Sequence, residues 1–113
     1  MANNYNELSI AAFRSQFPEF KSVFEEEDDV YSMLGEFAGY VIDVIYASQE
    51  YKKYLVFINE TYAASTKITR YFIGVYFMER FINHPTPARE LAATLTGEAA
   101  QDFKHMLAHR HRQ

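Results

Sequence analysis

Val30-Tyr31-Ser32-Met33-Leu34-Gly35-Glu36-Phe37-Ala38-Gly39-Tyr40-Val41-Ile42-Asp43-Val44-Ile45-Tyr46 is the stretch on which the fold reading turns. Val30, Leu34, Phe37, Val41 and Val44 recur at spacings of 4, 3, 4 and 3. That rhythm sets them on one stripe of an α-helix and suits the stripe to packing on another helix. The helix is expected from about Glu26 to Tyr46. Its opening, Glu25-Glu26-Glu27-Asp28-Asp29, puts carboxylates where the positive end of the helix dipole favours them. The same run is the alternative candidate for an acidic, partner-facing patch.

Towards the N-terminus, Ser9 is the expected N-cap of a short helix from Ile10 to Gln16, with Phe13 and Phe17 four apart on one side. Pro18 stops it, because the residue before a proline is pushed out of the helical region. Phe17, Phe20 and Phe24 then gather as an aromatic knot.

Towards the C-terminus, Ser48 is placed to cap a third helix, Gln49 to about Ala64, and Lys67 to Asn83 reads as a fourth. Tyr51, Leu55, Ile58, Tyr62, Ser65, Thr69, Phe72 and Tyr76 keep the 4-3 rhythm throughout, and no proline or glycine interrupts Ala63-Ala64-Ser65-Thr66. One long helix is therefore the alternative to two. The run from Tyr71 to Met78 is apolar almost all round, as in a helix buried on several sides; a short β-strand competes there. His84-Pro85-Thr86-Pro87 marks a boundary, with Thr86 as N-cap and Pro87 opening a helix that carries Leu91 and Leu95. Thr96-Gly97 bends or restarts it, and Phe103, Met106 and Leu107 give the last segment its apolar side.

The fold class read from these signals is all-α: a small bundle of four to five helices, the second and the third/fourth long. Residues 1–113 are expected to form a single helical domain, with 1–7 and 109–113 as flexible tails. At 113 residues, 49% of them apolar and with only 4 Gly and 3 Pro, the chain has enough material for one core without staples.

With no cysteine, disulfides, thiol nucleophiles and Cys-ligated zinc are excluded. Met1 to Glu7 lacks the pattern of a signal peptide, and charges interrupt every apolar run before it reaches 18 residues, so neither export by that route nor membrane spanning is expected. The 10 Phe and 9 Tyr exceed what so small a core needs. Most rings should be core, and the surplus, Tyr above all, suits a protein interface.

Charge is split along the chain. Residues 1–50 carry ten acids against Arg14 and Lys21, a balance of −8, whereas residues 51–113 carry five acids against nine bases, a balance of +4. The halves can meet between neighbouring copies, closing a ring, or pair within one molecule. Scattered bases and a pI near 5.5 make nucleic acid a poor partner.

No residue set carries chemistry. His105 and His109 have a metal-compatible i, i+4 spacing, but no acid lies between them as in metalloproteases, and solvated, dipole-complementing side chains are the simpler reading. Gly35 and Gly39 read as sites of close helix approach. The carboxylates of residues 25–29 look exposed, with ordinary pKa values unsuited to a general acid. The reading is therefore of no enzyme, with no catalytic, cofactor-binding or metal residue.

Phe13-Arg14-Ser15-Gln16-Phe17-Pro18-Glu19-Phe20 resembles the opening of a family of small tailed-phage head-tail adaptor (connector) proteins, which begin with a short helix ending in F-x-x-x-[FY]-P-E-F, then an acidic turn and a long helix. The resemblance covers roughly the first 46 residues. It implies a structural virion protein, found in the host cytoplasm before assembly. Its subunits would form a homo-oligomeric ring between portal and tail, with Phe13, Phe17, Pro18 and Phe20 shaping the N-terminal turn and Glu19 as a polar contact. Family members tend to a less regular, sheet-like C-terminal portion, and this chain departs from that after Tyr46. The alternative function is a small acidic inhibitor, of anti-CRISPR or toxin-immunity type, that presents Glu25, Glu26, Glu27, Asp28 and Asp29 to a basic site on its target.

Overall fold

The computed structural model describes residues 8–111. The Ser9 hydroxyl oxygen accepts the Ala12 N–H at 3.0 Å and opens α1 over Ile10–Gln16, with Phe17 as its C-cap before Pro18. This helix follows its sequence signals at both ends.

The helix α2 spans Val30–Tyr46 and begins later than the predicted Glu26. Its start is set by Asp29, whose carboxylate accepts the Tyr31 N–H and the Ser32 hydroxyl, each at 3.1 Å. The Asp28 carboxylate is occupied with closing a turn, accepting the Glu25 N–H at 2.8 Å. A short acidic side chain beside free N–H groups ends the irregular segment as effectively as it begins the helix. Glu25, Glu26, Glu27 and Asp28 therefore lie ahead of the helix, and the dipole account of the acidic run holds for Asp29 alone.

The helix α3 covers Lys52–Ala64, with Tyr51 as its N-cap. Ser48, the predicted cap, instead lies just beyond the end of α2 with φ 59°, the left-handed conformation that terminates helices. Ser65 is extended and its hydroxyl donates to the Thr61 carbonyl at 2.6 Å, while the Thr66 hydroxyl oxygen accepts the Thr69 N–H at 3.2 Å and caps α4, Lys67–Tyr76. Two adjacent hydroxyls thus satisfy both helix ends, so a break forms without proline or glycine. Residues 51–76 are two helices.

After α4 the chain makes a 3-10 turn over Met78–Phe81, so the fourth helix stops short of the predicted Asn83. The helix α5, Pro85–Thr94, starts ahead of the predicted Thr86 cap, with His84 as N-cap and Pro85 in the first turn, where its missing N–H costs nothing. A left-handed Gly97 (φ 57°) restarts the chain into α6, Gly97–His111. That helix continues into the span predicted as a C-terminal tail; residues 1–7, 112 and 113 lie outside the described residues. The architecture is all-helical, with six α-helices and no strand among the described residues, against the four to five predicted.

At the centre, α2 is buried on a face wider than its predicted stripe. Leu34, Phe37 and Val41 are joined inside by Met33, Ala38, Ile42 and Ile45, because α4, the 3-10 turn and α5 all pack on it. Phe37 is the hub of the rings, at 4.8 Å from Phe13, 5.0 Å from Phe20 and 5.9 Å from Phe77. Among the described residues no helix is long and apolar enough to cross a membrane.

Candidate protein interface

The break at Ser65-Thr66 gives α4 a helical phase different from that of α3. In α3 the predicted stripe holds, with Leu55, Ile58 and Tyr62 buried. In α4 it slips: Ile73, Gly74 and Phe77 turn inward, while the predicted Phe72 and Tyr76 remain half-buried. The opposite face is left apolar and outward. Ile68 and Tyr71 are 71% and 66% exposed, and Val75 lies one turn on. The run Tyr71 to Met78 is thus an amphipathic helix end followed by a turn, buried on one side only.

One flank of this face is aromatic. Tyr31, in the first turn of α2, lies 4.6 Å from Phe72 and 6.1 Å from Tyr76, and Tyr71 lies 5.5 Å from Phe72. The acidic turn precedes Tyr31 in the chain, with Asp28 three residues ahead and so within about 11 Å of it. Glu26 and Glu27 are exposed and carry no ion pair among the described residues, whereas Glu25 stands 3.9 Å from Arg14.

The other flank is a groove between α4 and α6. One part, about 290 Å³, is lined by Tyr71, Gly74, Val75 and Met106 together with Arg70, Glu79, Asp102 and His105, and the other, about 420 Å³, by Lys67, Arg70, Glu98, Gln101 and Asp102 beside Tyr62 and Tyr71. Arg70 is not free to act there. Its Nε and Nη2 donate to the carbonyls of Tyr62 (2.8 Å) and Ala63 (3.0 Å) at the end of α3, and its Nη1 pairs with Glu98. The guanidinium also covers the Tyr62 ring, 5.5 Å from its centroid. This fork caps α3 and fastens it to α6.

Tyrosine hydroxyls perform the same fastening elsewhere. Tyr51 donates to Glu90 at 2.6 Å, Tyr54 to Glu19 at 2.5 Å, and Tyr62 to Asp102. Burial first, then the carboxylate acceptor, pushes the pKa of Tyr54 and of Tyr62 above the usual phenol range; for Tyr51, also raised, the hydrogen bond to Glu90 is the main cause. At neutral pH these phenols stay protonated and act as hydrogen-bond donors.

The positions singled out in the sequence divide accordingly. Phe13, Phe17 and Phe20 are core, and Pro18 is exposed beside them. Glu19 is engaged internally: Tyr54, with Lys53 at 2.9 Å assisting against the opposing effect of burial, holds its carboxyl down to about 2. The Lys53–Glu19 pair joins the two charge halves within one molecule, while Arg14–Glu25 and Arg70–Glu98 each stay within a half. Gly35 does not serve helix approach, since the Arg80 guanidinium lies over it, and Gly39 faces open space. His105 and His109 are exposed on α6, and no group of three or more possible metal ligands occurs among the described residues. Sequence reasoning missed the outward face of α4, although Ile68, Tyr71 and Val75 share a helical stripe of their own.

A family described as a domain of unknown function (DUF7674) matches residues 10–109, from the first residue of α1 into α6. The chain belongs to this family. The matched span takes in the acidic turn, the outward face of α4 and the groove beside it. No curated protein and no solved structure matches the chain.

Proposed function

We propose that this protein acts without catalysis, by docking on another protein subunit. The observation that carries this reading is the outward face of α4, where Ile68 and Tyr71 stand exposed beside half-buried Phe72 and Val75. Contiguous exposed apolar surface with a polar rim is characteristic of interaction sites, and tyrosine contributes rigid area with little entropy to lose. The tyrosines tied to carboxylates serve the fold instead; Tyr71 and the Tyr31–Phe72–Tyr76 group supply the aromatic surface of this face, while Tyr46, also exposed, lies elsewhere against His84.

The form of this function that we favour is a small acidic inhibitor of the anti-CRISPR or toxin-immunity type, because Glu26 and Glu27 are exposed and carry no ion pair among the described residues. A ring-forming head-tail adaptor of a phage virion is the second reading, in the virion or in the host cytoplasm before assembly. It rests on the resemblance of Phe13 to Phe20 to the opening of that family. The helical second half weighs against it. Light scattering of the purified full chain over a wide concentration range separates the two. A monomer or dimer throughout accords with an inhibitor, and a closed higher oligomer accords with the adaptor. Retention of native-partner binding by Tyr71→Asp would remove α4 from either account.

A further inference from the structure

We infer that a cavity beside α1 is an anion site that takes the phosphate group of a phosphate monoester, independently of the α4 face. The cavity, about 350 Å³, is lined by Arg14, Pro18, Phe20, Lys21 and Ser22. That volume lies within the range of about 300–1,000 Å³ of small-ligand sites. Residues 1–50 contain two basic side chains, Arg14 and Lys21, and both reach this one cavity. The stop at Phe17-Pro18 brings them together, because the chain turns out of α1 and returns Lys21 to the neighbourhood of Arg14 in its last turn.

The donors stand ready. Arg14 Nη2 donates to the Phe24 carbonyl at 2.6 Å, which pins the guanidinium. Its Nε and Nη1 make no hydrogen bond among the described residues, and Lys21 makes no ion pair among them. A pinned arginine with donors to spare loses little freedom when it takes an oxyanion.

The acids nearby are engaged elsewhere, with one exception. Glu19 accepts from Tyr54 and pairs with Lys53, Glu36 accepts the Ser22 hydroxyl and the Val23 N–H, and Asp28 accepts the Glu25 N–H. Ser22 therefore serves as wall, its proton already given to Glu36. Glu25 alone competes for the site, but it stands 3.9 Å from Arg14 with 69% of its side chain exposed. So loose a surface pair contributes little and yields to a better anion. Two unit cations match the charge of a phosphate monoester, close to −2 at neutral pH, and exceed that of a carboxylate. Pro18, exposed above the buried Phe20, gives the organic part an apolar wall.

The test is a nuclear magnetic resonance titration of the full chain at neutral pH and low salt with phenyl phosphate, benzoate and a short phosphoserine peptide. Phenyl phosphate should give saturable amide shifts centred on residues 14–25, and should bind at least about fivefold more tightly than benzoate, which leaves one cation unmatched. Added salt should weaken it. Lys21→Gln should weaken binding by about threefold to tenfold, and Glu25→Gln, which removes the competitor, should tighten it by about twofold to fivefold. Arg14→Lys should lose at least as much as Lys21→Gln, since lysine lacks the planar donor array. If that variant does not fold, the exposed positions Lys21 and Glu25 carry the test. Lys52→Gln, at an exposed lysine in α3, should bind as the wild type does.

Tighter binding of the phosphoserine peptide than of phenyl phosphate supports the site and places the monoester on a protein; the reverse order supports it with a free small molecule. No saturable shift with any phosphate ligand overturns the inference. So do equal affinities for benzoate and phenyl phosphate, or a loss in Lys52→Gln as large as that in Lys21→Gln.

Discussion

The hydroxyl of Tyr54 donates to the carboxylate of Glu19 at 2.5 Å, and this contact ties the irregular segment after α1 to the first turn of α3. Its strength depends on Glu19 being ionised. In the folded chain that carboxyl titrates near 2 instead of its ordinary 4.5. A depressed carboxyl contributes stability that is complete above about 4.5 and is lost as pH falls towards about 2. Wild-type protein should therefore exceed Glu19→Gln in stability by about 1 kcal/mol at neutral pH, the partly exposed pair being discounted for screening. Urea titrations should show the difference vanishing near pH 2. Tyr54→Phe should flatten the same acid limb; an unchanged limb in both variants would remove the contact from the stability account.

Phe17 touches four rings, at 6.2 Å from Phe13, 5.6 Å from Phe37, 5.0 Å from Tyr54 and 5.1 Å from Phe57. Phe17→Ala leaves a cavity where α1, α2 and α3 meet, and should cost about 3–5 kcal/mol in denaturant unfolding. A midpoint equal to wild type would mean that the segment does not pack as described.

The guanidinium of Arg70 makes a fork that lysine cannot reproduce. Arg70→Lys preserves charge but cannot reach the Tyr62 and Ala63 carbonyls together with Glu98. A loss of about 1–2 kcal/mol is expected. Faster amide exchange at the end of α3 and the start of α4 is the local sign to look for, and uniform protection would contradict it.

A methyl group at Gly39 meets nothing within 4 Å. Gly39→Ala should raise stability by about 0.5–1 kcal/mol, since glycine in a helix interior forfeits that much relative to alanine. A decrease in melting temperature would show that Gly39 is packed against something after all.

Reversing charge at Glu26 and Glu27 should leave the fold intact, with stability changed by less than about 0.5 kcal/mol in thermal unfolding. Asp28 is a different case, because its carboxylate closes the turn on the Glu25 N–H. Asp28→Lys alone should therefore destabilise more than the double variant does, and an equal or smaller effect would argue against that hydrogen bond.

The sequence by itself determined the helical class, the stripe of α2, the cap at Ser9 and the stop at Pro18, because these depend on near neighbours along the chain: side-chain periodicity, a hydroxyl within reach of free N–H groups, and the steric demands of proline. Leu91, Leu95 and Phe103 were legible as core for the same reason. Only the tertiary structure decided which face of α4 turns inward. The 4-3 rhythm runs unbroken from Tyr51 to Tyr76, but the Ser65 and Thr66 hydroxyls end one helix and begin another, and α4 sets its phase by docking Ile73 and Phe77 against α2 and the 3-10 turn. The roles of the tyrosines were hidden for a related reason. Tyr54 and Tyr62 are separated from Glu19 and Asp102 by 35 and 40 residues, and a hydrogen bond across that span exists only once the helices have packed. Composition revealed a surplus of rings; which of them fasten the bundle and which face outward depends on how α4 docks, because its sequence offers more than one apolar stripe and packing chooses between them.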